Sequence, residues 1–140
     1  MGLILSTIQS VLDKEGIDYD VVEENDAIVV AYSLNSEKGP IIEKIMISED
    51  REWFSVFGFF QNRVPLDRLE KIYPVLSRIN TEKVFTTICV DEEDGELFVR
   101  CSCSVDGNVV NDDIVNTAIY AVLHTVDNSY DLVMEAVHGD

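Results

Sequence analysis

The stretch CVDEEDGELFVRCSCSV, residues 89–105, gathers five carboxylates (Asp91, Glu92, Glu93, Asp94 and Glu96) beside Cys89, Cys101 and Cys103. A metal loop, a thiol site and a β-hairpin all compete for it. A calcium loop needs oxygen ligands at its first and twelfth positions around a sixth-position glycine. With Gly95 as that glycine, Val90 and Cys101 fall on the ligand positions, and neither serves. Zinc needs paired ligands two to four residues apart. One residue separates Cys101 from Cys103, and no histidine is near.

The hairpin accounts for more residues. Asp94-Gly95 suits the centre of a two-residue type I′ turn, which requires positive φ at both positions. That turn pairs Val90 with Val99, Ile88 with Cys101 and Thr86 with Cys103. Alternation then sorts the side chains. Val84, Thr86, Ile88, Val90, Leu97, Val99, Cys101, Cys103 and Val105 form an apolar face. Phe85, Thr87, Cys89, Asp91, Phe98, Arg100, Ser102 and Ser104 form a wetter one.

Working outward, residues 3–15 carry Ile4, Ile8, Val11 and Leu12 at helical spacing, with Gly16 as the stop. Two strand-like runs follow around an Asn25-Asp26 turn, and a third begins after Gly39-Pro40. In REWFSVFGFF, Trp53, Phe57 and Phe59 share one face while Phe54, Val56 and Phe60 share the other. A strand apolar on both faces calls for cover on both, and Gly58 marks a bulge or a close backbone approach. Leu66, Leu69, Ile72, Tyr73, Leu76 and Ile79 make a helical stripe, with Pro74 predicting a kink or early break. After the hairpin, Asn111 to Asp113 cap the strongest helical pattern, Ile114 to Val126. Asp127-Asn128-Ser129 interrupts it before Tyr130 to Val137 resume. The expected order is α-β-β-β-β-α-β-β-α, an α+β domain over residues 1–140 with an antiparallel sheet and helices on one face.

Composition bounds the function. Ten basic against 27 acidic residues give a net charge of −17. Phosphate backbones and anionic membranes repel such a chain, so neither nucleic acid nor membrane is expected as a partner. An odd cysteine count without disulfide spacing suits the reducing cytoplasm. No apolar run approaches a membrane span, and the N-terminus lacks a basic signal region. The seven glycines are too scattered for a phosphate loop. No cofactor or metal is expected. The one nucleophilic pairing worth weighing is Cys89 with His124, which would make the chain a thiol-dependent enzyme. A structural subunit of a larger assembly is a third reading.

The chain resembles the YbjN family, whose fold is similar to that of the type III secretion chaperones. The resemblance rests on the element order, the helix end LSRIN at 76–80, the strand VFTTICVD, the acidic turn, the returning strand ELFVRCSCSV, and VDNSYDLV in the last helix. It implies a small bacterial, non-enzymatic protein that dimerises, and it supplies no catalytic residues. We therefore expect a chaperone-like or regulatory domain that binds a protein partner and forms a homodimer. The candidate binding or dimer surface is Trp53, Phe54, Phe57, Phe59, Phe60, Leu69 and Tyr73.

Overall fold

The computed structural model describes residues 2–105 and 110–139. Helix α1 (Leu3–Lys14) leads into strands β1 (Tyr19–Glu24), β2 (Ala27–Ser36), β3 (Gly39–Ser48) and β4 (Trp53–Phe59). A 3-10 turn (Leu66–Arg68) and helix α2 (Leu69–Glu82) follow, then β5 (Thr87–Val90), β6 (Leu97–Ser104) and helix α3 (Asp112–His138). The six strands form one antiparallel sheet in the order β1-β2-β3-β4-β6-β5. The expected order and class hold.

Local chemistry explains the boundaries. Gly16 stops α1 with φ +69°. Asn25 and Asp26, at φ 50° and 68°, make a tight two-residue turn between β1 and β2. The β5–β6 connection is different. Val90 pairs with Leu97 and Ile88 with Val99, and the Asp91 N–H donates to the Glu96 carbonyl at 2.9 Å, so the loop holds four residues, 92–95, rather than two. The shift is even, so every side chain keeps its expected face. Gly95 has φ +78°, and a Cβ there would lie 2.0 Å from the Val64 carbonyl oxygen. That glycine lets the chain after β4 pass against the loop, where Val64 N–H donates to the Gly95 carbonyl at 2.8 Å. Val84 and Phe85 precede β5 and are exposed, outside the hairpin faces expected for them.

Two expected helix breaks do not occur. Pro74 is exposed inside a continuous α2, where the carbonyl it leaves unbonded can face water. In α3, Ser129 is buried and its hydroxyl donates to the Thr125 carbonyl, so the polar interruption is satisfied within the helix. Asn111 caps α3 as expected, its side chain accepting from the Ile114 N–H at 3.0 Å. Two other docking bonds are long-range. Glu49, after β3, accepts from the Ile4 and Leu5 N–H groups at 3.1 and 2.9 Å, capping α1. Asn80, at the end of LSRIN, accepts from Ile88 N–H at 2.8 Å and donates to its carbonyl at 3.1 Å, tying α2 to the edge strand.

The core lies between the helices and one sheet face. Ile8, Leu12, Ile45, Phe54, Val56, Ile72, Leu97 and Ile119 are among its fully buried members. β4 runs between β3 and β6 without a bulge, so Gly58 marks a close approach. A Cβ there would meet Val122 Cγ1 of α3 at 2.5 Å. Beside Gly58 in the pairing sits Glu43, a carboxyl with 0% exposure. Its Oε1 accepts from the Tyr32 hydroxyl at 2.6 Å, while Oε2 has no partner among the described residues. Burial pushes the Glu43 pKa up to about 8, with the Tyr32 hydrogen bond opposing.

Candidate protein-binding face

The other sheet face carries no helix among the described residues. Strand pairing lays its side chains out in rows. One row reads Ala31, Lys44, Phe57 and Arg100, and the next reads Ser33, Ile42, Phe59, Phe98 and Cys89. A third runs Val22, Val29, Met46, Ser55 and Ser102, with the Ser55 and Ser102 hydroxyls 2.7 Å apart. The rings of Phe57 and Phe59 lie 5.9 and 6.2 Å from that of Phe98, tilted against it. The Lys44 ammonium sits 5.8 Å over Phe59.

Part of this face forms a shallow groove of about 350 Å³. Val29, Met46, Phe57, Phe59 and Phe98 form its apolar floor, and Glu24 and Glu96 stand at its two sides. The groove crosses from β1 to β6, roughly 19 Å at about 4.8 Å per strand, the span of about six extended residues. Glu96 also faces Arg63, which lies 3.8 Å away and pairs with Asp94 at 3.3 Å.

The expected surface residues divide three ways. Trp53, Phe57 and Phe59 lie on the open face and are half-buried. Phe54 and Phe60 do not belong to any surface of the chain. Their parity turns them into the core, with Phe54 at 0% exposure and Phe60 stacked on Tyr130. Leu69 and Tyr73 lie on α2, away from the groove, and the Tyr73 hydroxyl donates to Glu92 at 3.2 Å. Among the described residues, helices cover only one of the two faces of β4 for which cover is expected. Val29, Ile42, Lys44, Met46 and Phe98 were missed as face residues. Their signal was the alternation of β2, β3 and β6, once those strands are known to flank β4.

The expected Cys89–His124 pairing is not assembled. Cys89 points to the open face, whereas α3 packs on the core face and its His124 is exposed, so the sheet separates the pair. Burial pushes the Cys89 thiol up, with Arg100 partly opposing, which disfavours a nucleophilic thiolate. Among the described residues no three His, Cys, Asp or Glu side chains cluster for a metal. No helix among them is long and apolar enough to cross a membrane.

The one-sided α+β sheet in this element order is a type III secretion chaperone-like fold. The ExsC–ExsE complex contains a chain of this fold, with a TM-score of 0.62, 14% identity, and coverage of 95% of this chain and 97% of that one. The crystal structure of YbjN from E. coli matches with a TM-score of 0.63 at 18% identity, over 91% of this chain and 92% of that one. An uncharacterized protein from Methanothermobacter thermautotrophicus matches at 0.68 and 16% identity, over 96% and 99%. The pattern of the YbjN family, described as "Putative bacterial sensory transduction regulator", matches residues 5–135. The chain belongs to the YbjN family. None of the curated proteins matches the sequence.

Proposed function

We propose that this chain is a non-enzymatic, chaperone-like regulator that binds an extended segment of a partner protein across the open face of its sheet. The observation that carries the reading is the uncovered groove over Phe57, Phe59 and Phe98. Support also comes from the family and from the chaperone-like neighbour, whose solved form is a complex with a second protein. Charge selects the occupant. At −17 the chain repels acidic segments, and Glu24 and Glu96 favour a segment with an apolar middle and basic ends. We infer a cytoplasmic setting from three unpaired cysteines.

The competing occupant is a second copy of the chain, since a two-fold interface would also hide this apolar face. Two peptides distinguish the readings, each a six-residue aliphatic and aromatic core, flanked by lysines in one and by glutamates in the other. Fluorescence anisotropy should show binding of the lysine-flanked peptide alone, lost in Phe57→Asp. Equal binding of both peptides, no binding of either, or binding indifferent to Phe57→Asp would overturn the proposal.

A further inference from the structure

A second site lies on the opposite side of the sheet. Cys101 and Cys103 stand two residues apart on the core-facing side of β6, opposite Val56 and Phe54. Cys101 is 6% exposed and Cys103 is half-buried. Both line an apolar pocket of about 280 Å³ whose other walls are Phe85 and the start of α3, including Asp113, Ile114 and Thr117. Both are free thiols.

We propose that Cys101 and Cys103 form a two-coordinate binding site for a soft, thiophilic monovalent cation, with Cu(I) as its probe. Geometry removes the main alternatives. Alternate residues of a strand stand roughly 6.6 Å apart at Cα, at the upper edge of the about 4.4–6.8 Å that a disulfide spans, and their parallel side chains do not converge to the about 3.5–4.5 Å that its Cβ atoms need. Closing the pair would distort the strand, and both cysteines are free thiols. Two metal–sulfur bonds of about 2.3 Å in a line bridge roughly 4.6 Å, a spacing that leaning side chains on one strand face can reach. Zinc would need further ligands, and no cluster of three exists among the described residues. Two thiolates suffice for a soft cation that prefers sulfur. On binding, two S–H bonds break, two protons pass to solvent and two metal–sulfur bonds form, with no electron transferred. The product carries one negative charge. The dipole at the start of α3 favours that charge, while the carboxylates of its first turn, Asp112 and Asp113, oppose it.

The site is independent of the protein-binding face, and Cys89 on that face is the internal control. Reduced full-length chain is titrated anaerobically with Cu(I) against a chromophoric copper(I) chelator. The wild type and Cys89→Ser should withdraw one ion per chain, while Cys101→Ser and Cys103→Ser leave it with the chelator. Should a serine variant unfold, alkylation of the wild type followed by mass spectrometry decides the matter. Cu(I) should protect Cys101 and Cys103 from the reagent and leave Cys89 reactive. Retention of all copper by the chelator, unchanged binding in folded Cys103→Ser, or equal protection of Cys89 would overturn the assignment.

Discussion

Glu43→Gln should raise stability at neutral and alkaline pH while changing little in acid. The carboxyl is fully buried, its Oε2 is unpartnered among the described residues, and its pKa in the fold is pushed up from 4.5 to about 8. The folded chain therefore holds a proton that the unfolded chain has released throughout that window. Stability from this group is complete below pH 4.5, declines as pH rises, and is lost above pH 8. A window of about 3.5 pH units at about 1.4 kcal/mol per unit gives a total of about 5 kcal/mol, an upper bound that relaxation around the site would reduce. Glutamine keeps the shape and an acceptor for the Tyr32 hydroxyl but has no proton to lose. Tyr32 and Tyr120 are the other titratable groups acting on this site, and burial holds both phenols above their ordinary values. The remaining ionisable groups are present in both proteins and cancel in the difference. Urea unfolding at pH 5, 6, 7 and 8 measures that difference directly. The variant should gain on the wild type at each step, by at least about 2 kcal/mol in all between pH 5 and 8. Parallel stability curves would refute a neutral buried Glu43.

Gly58→Ala places a methyl 2.5 Å from Val122 Cγ1 and should cost roughly 1–3 kcal/mol; adding Val122→Ala should return part of the lost thermal midpoint. Glu49→Ala removes both caps on α1 and should cost about 1 kcal/mol, with faster amide exchange at Ile4 and Leu5 as the local signature. Ile119→Asp puts an unpaired charge at a site with 1% exposure, a loss of several kcal/mol that should unfold the domain; an unchanged circular dichroism melt would contradict it. Light scattering tests the competing occupant: a second copy on the open face would give twice 15.8 kDa at physiological salt, where charges are screened beyond about 8 Å, with dissociation as salt is removed. A 15.8 kDa particle at every salt concentration would leave the open face to other partners.

Much of this fold was legible because burial on one side of a sheet writes a period of two into every strand. The parities of Trp53 and Phe54, and of Cys89 and Cys101, came through intact even though the β5–β6 register slipped by two residues. The slip arose because Gly95 was read as a local turn residue, whereas its small size serves a contact with Val64 some thirty positions earlier. The α3 interruption was misread for a related reason. Ser129 looks like a breaker in sequence, but its hydroxyl finds a helix carbonyl and the residue packs in the core. The Glu49 cap was invisible, since nothing near α1 announces an acceptor 44 residues away. The candidate face was half legible. Alternation separated the two sides of β4, but only the docking of α3 on Gly58 decides which side stays open.

The open face can exist without a partner because it is only partly apolar in effect. Trp53, Met46, Phe57, Phe59 and Phe98 are each half-covered by their neighbours, and Lys44 lies over Phe59. Ile42, at 56% exposure, is the most open apolar residue of the face. Covering an apolar patch of the size ordinary on a monomer, about 300–600 Å², gives a gross gain of about 8–15 kcal/mol at about 25 cal/mol per Å². Ordering two molecules costs about 4–15 kcal/mol, so apolar contact alone roughly breaks even. A partner must therefore add polar contacts, and with a charge of −17 the available ones are attractions to basic side chains. Such attractions weaken as salt rises. Binding at this face should accordingly weaken with salt, whereas pairing of two acidic copies should strengthen. The sign of the salt dependence thus separates the two occupants on physical grounds before either is identified.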